Sequence, residues 1–404
     1  MHDVIIIGAG PSGSVAASRL VDQGLDVLVL EKLTFPRFII GESLLPQSME
    51  FLEKAGLMQP VADSGFQYKD GAAFRCGAET SLINFSDKFS AGWATTYQVQ
   101  RNSFDKILID EAAKKGANVR YNHEVLAVDF SKNHSVLKVR NDQGKDVDVQ
   151  GRFILDASGY GRVLPRLLDL DRPSSFPRRH ALFTHIADNI CDADYDRNKI
   201  LITVHPEQKD IWYWLIPFSN GTASLGVVAR PEILQDYRGT DSEKLWALVG
   251  EAPELCDLLK SAKETRPVGE LKGYSCDVST LCSDRFALLG NAGEFLDPVF
   301  SSGVTIALKS ADLVIDPLVK QLSGQSVDWE RDYAQPLKVG VSCFKSFVES
   351  WYEGSLQKII FNPPQGDNPI RDMIISILAG YAWDEENPFV REPKKYLELV
   401  AAQC

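Results

Sequence analysis

The chain has 404 residues, 44% of them hydrophobic and 24% charged, enough for a large core divided over two or three lobes. Its 55 acidic against 43 basic side chains leave a formal net charge of −12, which argues against a nucleic-acid partner, since phosphate neutralisation needs clustered Lys and Arg. No apolar run reaches the roughly 18–20 residues of a membrane span, no signal peptide is read at the N-terminus, and Cys76, Cys191, Cys256, Cys276, Cys282, Cys343 and Cys404 form no CxxC pair, so a reduced, cytoplasmic enzyme without zinc or a disulfide framework is expected.

Residues 3–7, with the β-branched apolar run Val4-Ile5-Ile6-Ile7 after Asp3, predict a strand covered on both faces. They lead into Gly8-Ala9-Gly10-Pro11-Ser12-Gly13, after which Val15, Ala16, Ala17 and Leu20 pattern a helix that stops at Gly24. Residues 27–30 predict the next parallel strand, ending at Glu31 with Lys32 beside it. In such a βαβ unit Gly8 permits the tight turn, Gly10 lets the backbone approach a pyrophosphate, and Gly13 lets helix and strand pack closely. The helix start, with Ser12, offers free N–H groups to phosphate, and Glu31, 23 residues after Gly8, can accept hydrogen bonds from ribose hydroxyls. The motif leaves FAD and NAD open, and a glycine turn in an α/β core is the plain alternative.

Further along, 67–74 read as a β-hairpin, and 99–105 with Leu108, Ala112 and Ala113 read as a strand end plus a helix stopping at Gly116. Strands are expected at 118–121 and 124–128, then at 153–156 running into Ala157-Ser158-Gly159. Asp156 there is either a cofactor contact or an ordinary strand-end turn. A group of strands follows at 181–186, 200–205, 211–216 and 223–229. Residues 286–289 predict a strand ending in Gly290-Asn291, then a loop, then Ser301-Ser302-Gly303 opening an apolar helix, a fitting second anchor for a long cofactor. From about 326 the pattern is helical (Val341, Phe344, Phe347, Val348, Trp351), broken at Asn362-Pro363-Pro364-Gln365-Gly366 and resumed over 370–381. The six histidines show no ligand spacing, so no metal is assigned, and no GxSxG is present.

Phe35-Pro36-Arg37-Phe38-Ile39-Ile40-Gly41-Glu42-Ser43, Trp212-Tyr213-Trp214-Leu215-Ile216-Pro217, and Phe295-Leu296-Asp297-Pro298-Val299-Phe300-Ser301-Ser302-Gly303 resemble the GES, WxWxIP and FxDPxxSSG segments of flavin-dependent halogenases. Geranylgeranyl-reductase-like proteins share the scaffold but usually carry Cys-Gly near Gly41, where this chain has Ile40. The resemblance spans residues 1 to about 310. It implies an α/β fold with a glutathione-reductase-like FAD-binding Rossmann lobe, an interleaved antiparallel β-sheet substrate lobe and a helical C-terminal segment. The FAD lobe would comprise 1–66, 97–165 and 275–325, the substrate lobe 67–96 and 166–274, and the C-terminal segment 326–404. Because one FAD must touch both, 275–325 should pack against 1–30.

The resemblance further implies roles. The N-terminal glycines hold the ADP half, the Val125 backbone meets the adenine, Gly290 and Asn291 (usually Asp) hold the ribityl chain, and Pro298, Ser302 and Gly303 face the flavin, with a possible halide at Ser302 and Gly303. Arg101 lies near the cofactor, or makes a structural salt bridge. Trp212 and Trp214, on one face of a strand, form a wall between flavin and substrate, or simply pack the core. Lys69, in Lys69-Asp70-Gly71-Ala72-Ala73-Phe74, fits the KxGxxF pattern in which a lysine holds or carries the halogen of hypohalous acid; a solvated hairpin lysine is the plain alternative. After Phe74 the family commonly has Trp-Gly, whereas this chain has Arg75-Cys76-Gly77, and Phe300 stands where tryptophan halogenases carry Glu.

The expected activity is FAD-dependent oxygen activation through a C4a-hydroperoxide beside Glu42 and Ser43, used to halogenate an electron-rich aromatic or apolar small molecule. A separate flavin reductase or NAD(P)H would supply electrons. A hydroxylase, a double-bond reductase and a non-catalytic flavin-binding protein are the alternatives. The C-terminal aromatics cover the substrate mouth or serve only lobe packing.

Overall fold

The structure, a computed structural model, describes residues 1–192, 195–363 and 369–404. The predicted break in the C-terminal helices falls partly outside the described residues.

The first sheet has seven strands. His2–Ile7 lies between Val27–Glu31 and Asp146–Asp156, parallel to both, and Asn118–Tyr121 adds to Val27–Glu31 in the same sense. The 11-residue strand Asp146–Asp156 serves two partners in turn. Its first half pairs antiparallel with Ser135–Arg140, which in turn pairs with Glu124–Asp129; its second half joins the parallel layer and also carries Phe286–Leu288. The βαβ expectation holds: helix Pro11–Asp22 crosses between the first two strands and ends before Gly24 at φ +77°. Helix Arg101–Lys115 likewise ends at Gly116, φ +122°. Helix Ser302–Leu313 packs on Pro11–Asp22, fastened by Arg19 Nη1 to Asp312 Oδ1 at 2.6 Å, so a segment from the 275–325 stretch does meet residues 1–30.

The second sheet has eight strands, with His180–Ala187, Thr222–Ala229, Trp212–Pro217, Lys199–Val204, Gly71–Cys76 and Glu79–Asn84 as neighbours in that order. One detail departs from the antiparallel expectation. Lys199–Val204 runs parallel to Gly71–Cys76. The chain between them passes through four strands of the first sheet, and such a long connection carries none of the constraint by which a hairpin enforces the antiparallel sense.

The tail is helical, over Gln335–Tyr352, Ser355–Phe361, Pro369–Leu378, Pro388–Arg391 and Pro393–Ala401. Its apolar face enters the core shared by the two sheets: Trp351, fully buried, has its ring 5.9 Å from Phe74 and 5.7 Å from Phe300. Among the described residues no helix is long and apolar enough to cross a membrane.

Candidate functional site

A single long cleft runs from the first glycine turn to the second sheet. It encloses about 1180 Å³ outside protein atoms, solvent at its open mouth included, and its lining is largely apolar with a few polar groups, as in small-molecule and cofactor sites.

At one end the three glycines do three different jobs. A Cβ on Gly8 (φ +100°) would lie 2.6 Å from the Ala157 carbonyl oxygen, and one on Gly13 would lie 2.1 Å from that of Gly8. Both positions are closed by protein backbone. Gly10 meets only Arg37 Nη2, at 3.7 Å, because its face looks into the cleft. That is the cradle a pyrophosphate needs, with Pro11 and Ser12 beside it at the helix start. Glu31 is buried. Its Oε2 accepts from the Ala9 amide and its Oε1 from the Leu33 amide, both at 2.9 Å, which fixes the carboxylate at the end of its strand with lone pairs to spare for a ribose.

Three residues expected at the cofactor, Lys32, Val125 (by its backbone) and Asp156, are not among those that line the cleft. Lys32 extends to the surface and pairs with Glu124 at 2.7 Å, because the strand has ended and nothing covers its side chain. Val125 is buried in the packing beneath the first sheet, beside a bulge in its strand, and does not line the cleft. Asp156 is the strand-end turn. Its Oδ1 accepts from the Ser158 amide at 2.9 Å and its Oδ2 from the Leu164 amide at 2.6 Å, satisfying donors freed where the strand ends. Burial raises its pKa, opposed by these hydrogen bonds. The neighbouring Ala157, Ser158 and Gly159 line the cleft instead.

Arg101 makes the structural salt bridge and also borders the cleft. Its Nε and Nη2 grip Asp105 at 2.6 and 3.0 Å, while Nη1 donates to the Ile40 and Gly41 carbonyls at 3.0 and 3.3 Å, and the residue lines the cleft. Gly41 (φ +104°) has only 3.0 Å between a virtual Cβ and Arg101 Nη1, so the chain can cross Arg101 there only as glycine.

The far end is built by Asn291, Pro298 and Gly303, which line the cleft; Ser302 is buried at the first turn of helix Ser302–Leu313. The first N–H groups of that helix have no intrahelical partner, and Ser301, Gly303 and Val304 beside them line the cleft. Gly290 (φ +53°) packs 2.7 Å, at a virtual Cβ, from Ala307 of the same helix, so it is a packing glycine.

Trp212 and Trp214 form one wall, while Tyr213 and Leu215 face the opposite core, as strand alternation requires. The wall is itself fastened. Trp212 Nε1 donates to the Tyr352 hydroxyl at 2.9 Å, and Tyr352 donates to Asp297 Oδ2 at 2.9 Å. Tyr274, from the cleft, donates to the same oxygen at 3.0 Å. Burial raises the Asp297 pKa, and Arg179 and the two hydroxyls oppose that shift.

Gly41, Glu42 and Ser43 line the cleft on one side and separate it from Lys69 on the other. Glu42 is buried and both its oxygens face His185 Nε2, at 2.9 and 3.0 Å. Lys69 is 1% exposed, which excludes the solvated hairpin reading. Its Nζ donates to Ser43 Oγ at 2.7 Å and to the Leu44 carbonyl at 2.8 Å, with the Phe85 ring centroid 5.3 Å away. Among the described residues it has no carboxylate partner. Burial alone brings its pKa down to about 7.

Arg37, His185, Tyr274 and Tyr352 were not anticipated. Arg37 stood inside a motif already noted, but the other three carry no local signal and meet the site only through the fold. Among the described residues no cluster of three His, Cys, Asp or Glu side chains could hold a metal ion.

The profile of the family described as FAD binding domain matches residues 1–335. The 1H-pyrrole-2-carbonyl-[peptidyl-carrier protein] chlorinase of Pseudomonas fluorescens is 28% identical, over 99% of this chain and 93% of its own. A flavoprotein/dehydrogenase from Cytophaga hutchinsonii superposes with a TM-score of 0.95 at 43% identity, covering 100% of this chain and 98% of that one. The myxobacterial chondrochloren halogenase superposes with a TM-score of 0.79 at 27% identity, covering 99% and 97%.

Proposed function

From a chain that belongs to the FAD binding domain family, an FAD-dependent oxidoreductase of the flavin-dependent halogenase kind, we propose that this protein halogenates an electron-rich aromatic small molecule with Lys69 as the halogen-handling amine. The observation that carries the reading is the state of Lys69: fully buried, without a carboxylate, held by Ser43 and Leu44, and with a pKa of about 7.

Gly10, Ser12, Glu31, Arg101, Asn291, Pro298 and Gly303 would hold the FAD, whose reduced form would supply the two electrons and two protons that, with oxygen and one further proton, convert halide to hypohalous acid and water. The amides at Ser302 and Gly303 offer the halide a site at a helix start. Ser43 borders both the cleft and Lys69, so the electrophile passes one residue to reach the amine. With a pKa brought down to about 7, both the ammonium and the neutral amine of Lys69 are accessible near neutral pH. The ammonium form can donate a hydrogen bond to hypohalous acid, and the neutral form can exchange a proton for the halogen with loss of water. Transfer to the aromatic ring then returns the ring proton to the amine. Electrons come from a flavin reductase or NAD(P)H, and a carrier-bound pyrrole, the substrate named for the Pseudomonas relative, is one candidate acceptor.

The second reading, a hydroxylase or double-bond reductase, is favoured by one observation. Phe183, Ile200, Trp212 and Trp214 line space continuous with the flavin cleft, which Lys69 does not line. Purified protein with FAD, a reductase, oxygen and a panel of phenols, indoles and pyrroles, with and without chloride or bromide, separates the two. Halogenated product that depends on halide supports the first reading; an oxygenated or reduced product indifferent to halide replaces it with the second.

A further inference from the structure

Cys76 closes the strand Gly71–Cys76, at the place where the sequence departs from the Trp-Gly common after Phe74. Its side chain is 9% exposed and packs in the main core. Lys209 lies in the loop between Lys199–Val204 and Trp212–Pro217 and reaches 133 residues back along the sequence to place Nζ 2.7 Å from Cys76 Sγ. That is about 0.6 Å inside nitrogen–sulfur van der Waals contact. It is the spacing at which a single bridging oxygen, with ordinary bond lengths and a bent angle, holds nitrogen and sulfur. Among the described residues Lys209 makes no ion pair that would draw its amine elsewhere, and its carbonyl is held by Gln357 Nε2 at 3.1 Å.

We propose that Cys76 and Lys209 are a redox modification site, joined under peroxide into an Nζ–O–Sγ crosslink. Hydrogen peroxide, released when a reduced flavin consumes oxygen without making product, is the oxidant. One peroxide converts the thiol to a sulfenic acid and water. A second converts the amine to a hydroxylamine and water. Condensation of the two expels a third water and leaves one oxygen between sulfur and nitrogen. Four electrons pass to the two peroxides, and the thiol and the amine each lose one hydrogen. A thiol reductant returns four electrons and regenerates thiol, amine and one water. The link fastens the end of the strand that follows Lys69 to the loop that leads into Trp212. The structure also supplies a control. Arg162 Nη1 lies 2.7 Å from Cys276 Sγ, but a guanidinium keeps its proton and offers no free amine.

The test treats FAD-loaded, full-length protein with graded hydrogen peroxide, removes the peroxide with catalase, alkylates free thiols and maps peptides by mass spectrometry. The expected result is a peptide pair joined through Cys76 and Lys209, about 14 Da heavier than the sum of its parts (one oxygen less two hydrogens). It disappears with dithiothreitol and is absent from Cys76→Ser and from Lys209→Arg, and Cys276 forms no such link. Lys209 is exposed, so Lys209→Arg remains informative even where Cys76→Ser does not fold. The proposal is overturned if, at a dose that oxidises the exposed Cys191 and Cys256, Cys76 is recovered alkylated, or as sulfinic or sulfonic acid, with Lys209 unmodified.

Discussion

Lys69→Met keeps the length of the side chain and removes its nitrogen, and the structure assigns that change two separable consequences. Burial lowers the amine from the usual 10.5 to about 7, a cost of about 5 kcal/mol to the charged form. The unfolded chain holds this proton up to the higher value and the folded chain only up to the lower. Wild-type stability is therefore reduced by the full amount below pH 7, recovers as pH rises from 7 to 10.5, and is unaffected beyond. Methionine lifts that cost but leaves the Leu44 carbonyl and Ser43 hydroxyl without their donor, a loss of about 1–3 kcal/mol. The variant should be the more stable protein by about 2–4 kcal/mol at pH 6 and slightly the less stable at pH 10. Thermal unfolding at saturating FAD reads this as a melting point a few degrees higher at pH 6, with the order reversed at pH 10. In turnover, oxygen consumption from reduced flavin should stay near the wild-type rate while halogenated product falls by two orders of magnitude or more. A variant that melts lower at both pH values refutes the cost assigned to the buried amine. A variant that still makes product refutes its chemical role.

Gly10→Val should fold, because its Cβ meets no protein atom closer than 3.7 Å, yet lose bound flavin at least 100-fold in affinity; flavin absorbance beside a wild-type circular dichroism spectrum checks both. Gly13→Ala, with its Cβ 2.1 Å from the Gly8 oxygen, should fail at the level of soluble protein, and recovery of a stable, flavin-loaded Gly13→Ala would contradict the assignment. Tyr352→Phe strips Trp212 of its acceptor and Asp297 of one donor, so it should cost about 1–3 kcal/mol in denaturant unfolding and shift tryptophan emission. His185→Leu leaves the Glu42 carboxylate buried without its partner and should destabilise by about 3–5 kcal/mol, whereas His185→Leu combined with Glu42→Gln should recover part of that loss in a double-mutant cycle.

What the sequence by itself determined is what adjacent residues can specify. The first strand, its glycine turn and its helix are legible because steric demands at Gly8 and Gly13 arise within a dozen residues, and so are the alternation of Trp212 and Trp214 and the stops at Gly24 and Gly116. Periodicity also places most strands of the second sheet, but it carries no partner information, so the parallel pairing of Lys199–Val204 with Gly71–Cys76 was out of reach. Local grammar even misleads at Asp156, where a carboxylate after a strand suits a cofactor and a turn equally, and only its two amide partners decide. The rest belongs to tertiary structure. His185 reaches Glu42 across 143 residues, Trp212 reaches Tyr352 across 140, and Lys209 reaches Cys76 across 133. The state of Lys69 follows the same logic: its motif names a lysine, but the loss of water that brings its pKa to about 7 exists only once Ser43, Leu44 and Phe85 have closed around it. Desolvation is a property of the surrounding fold, and no residue carries it alone.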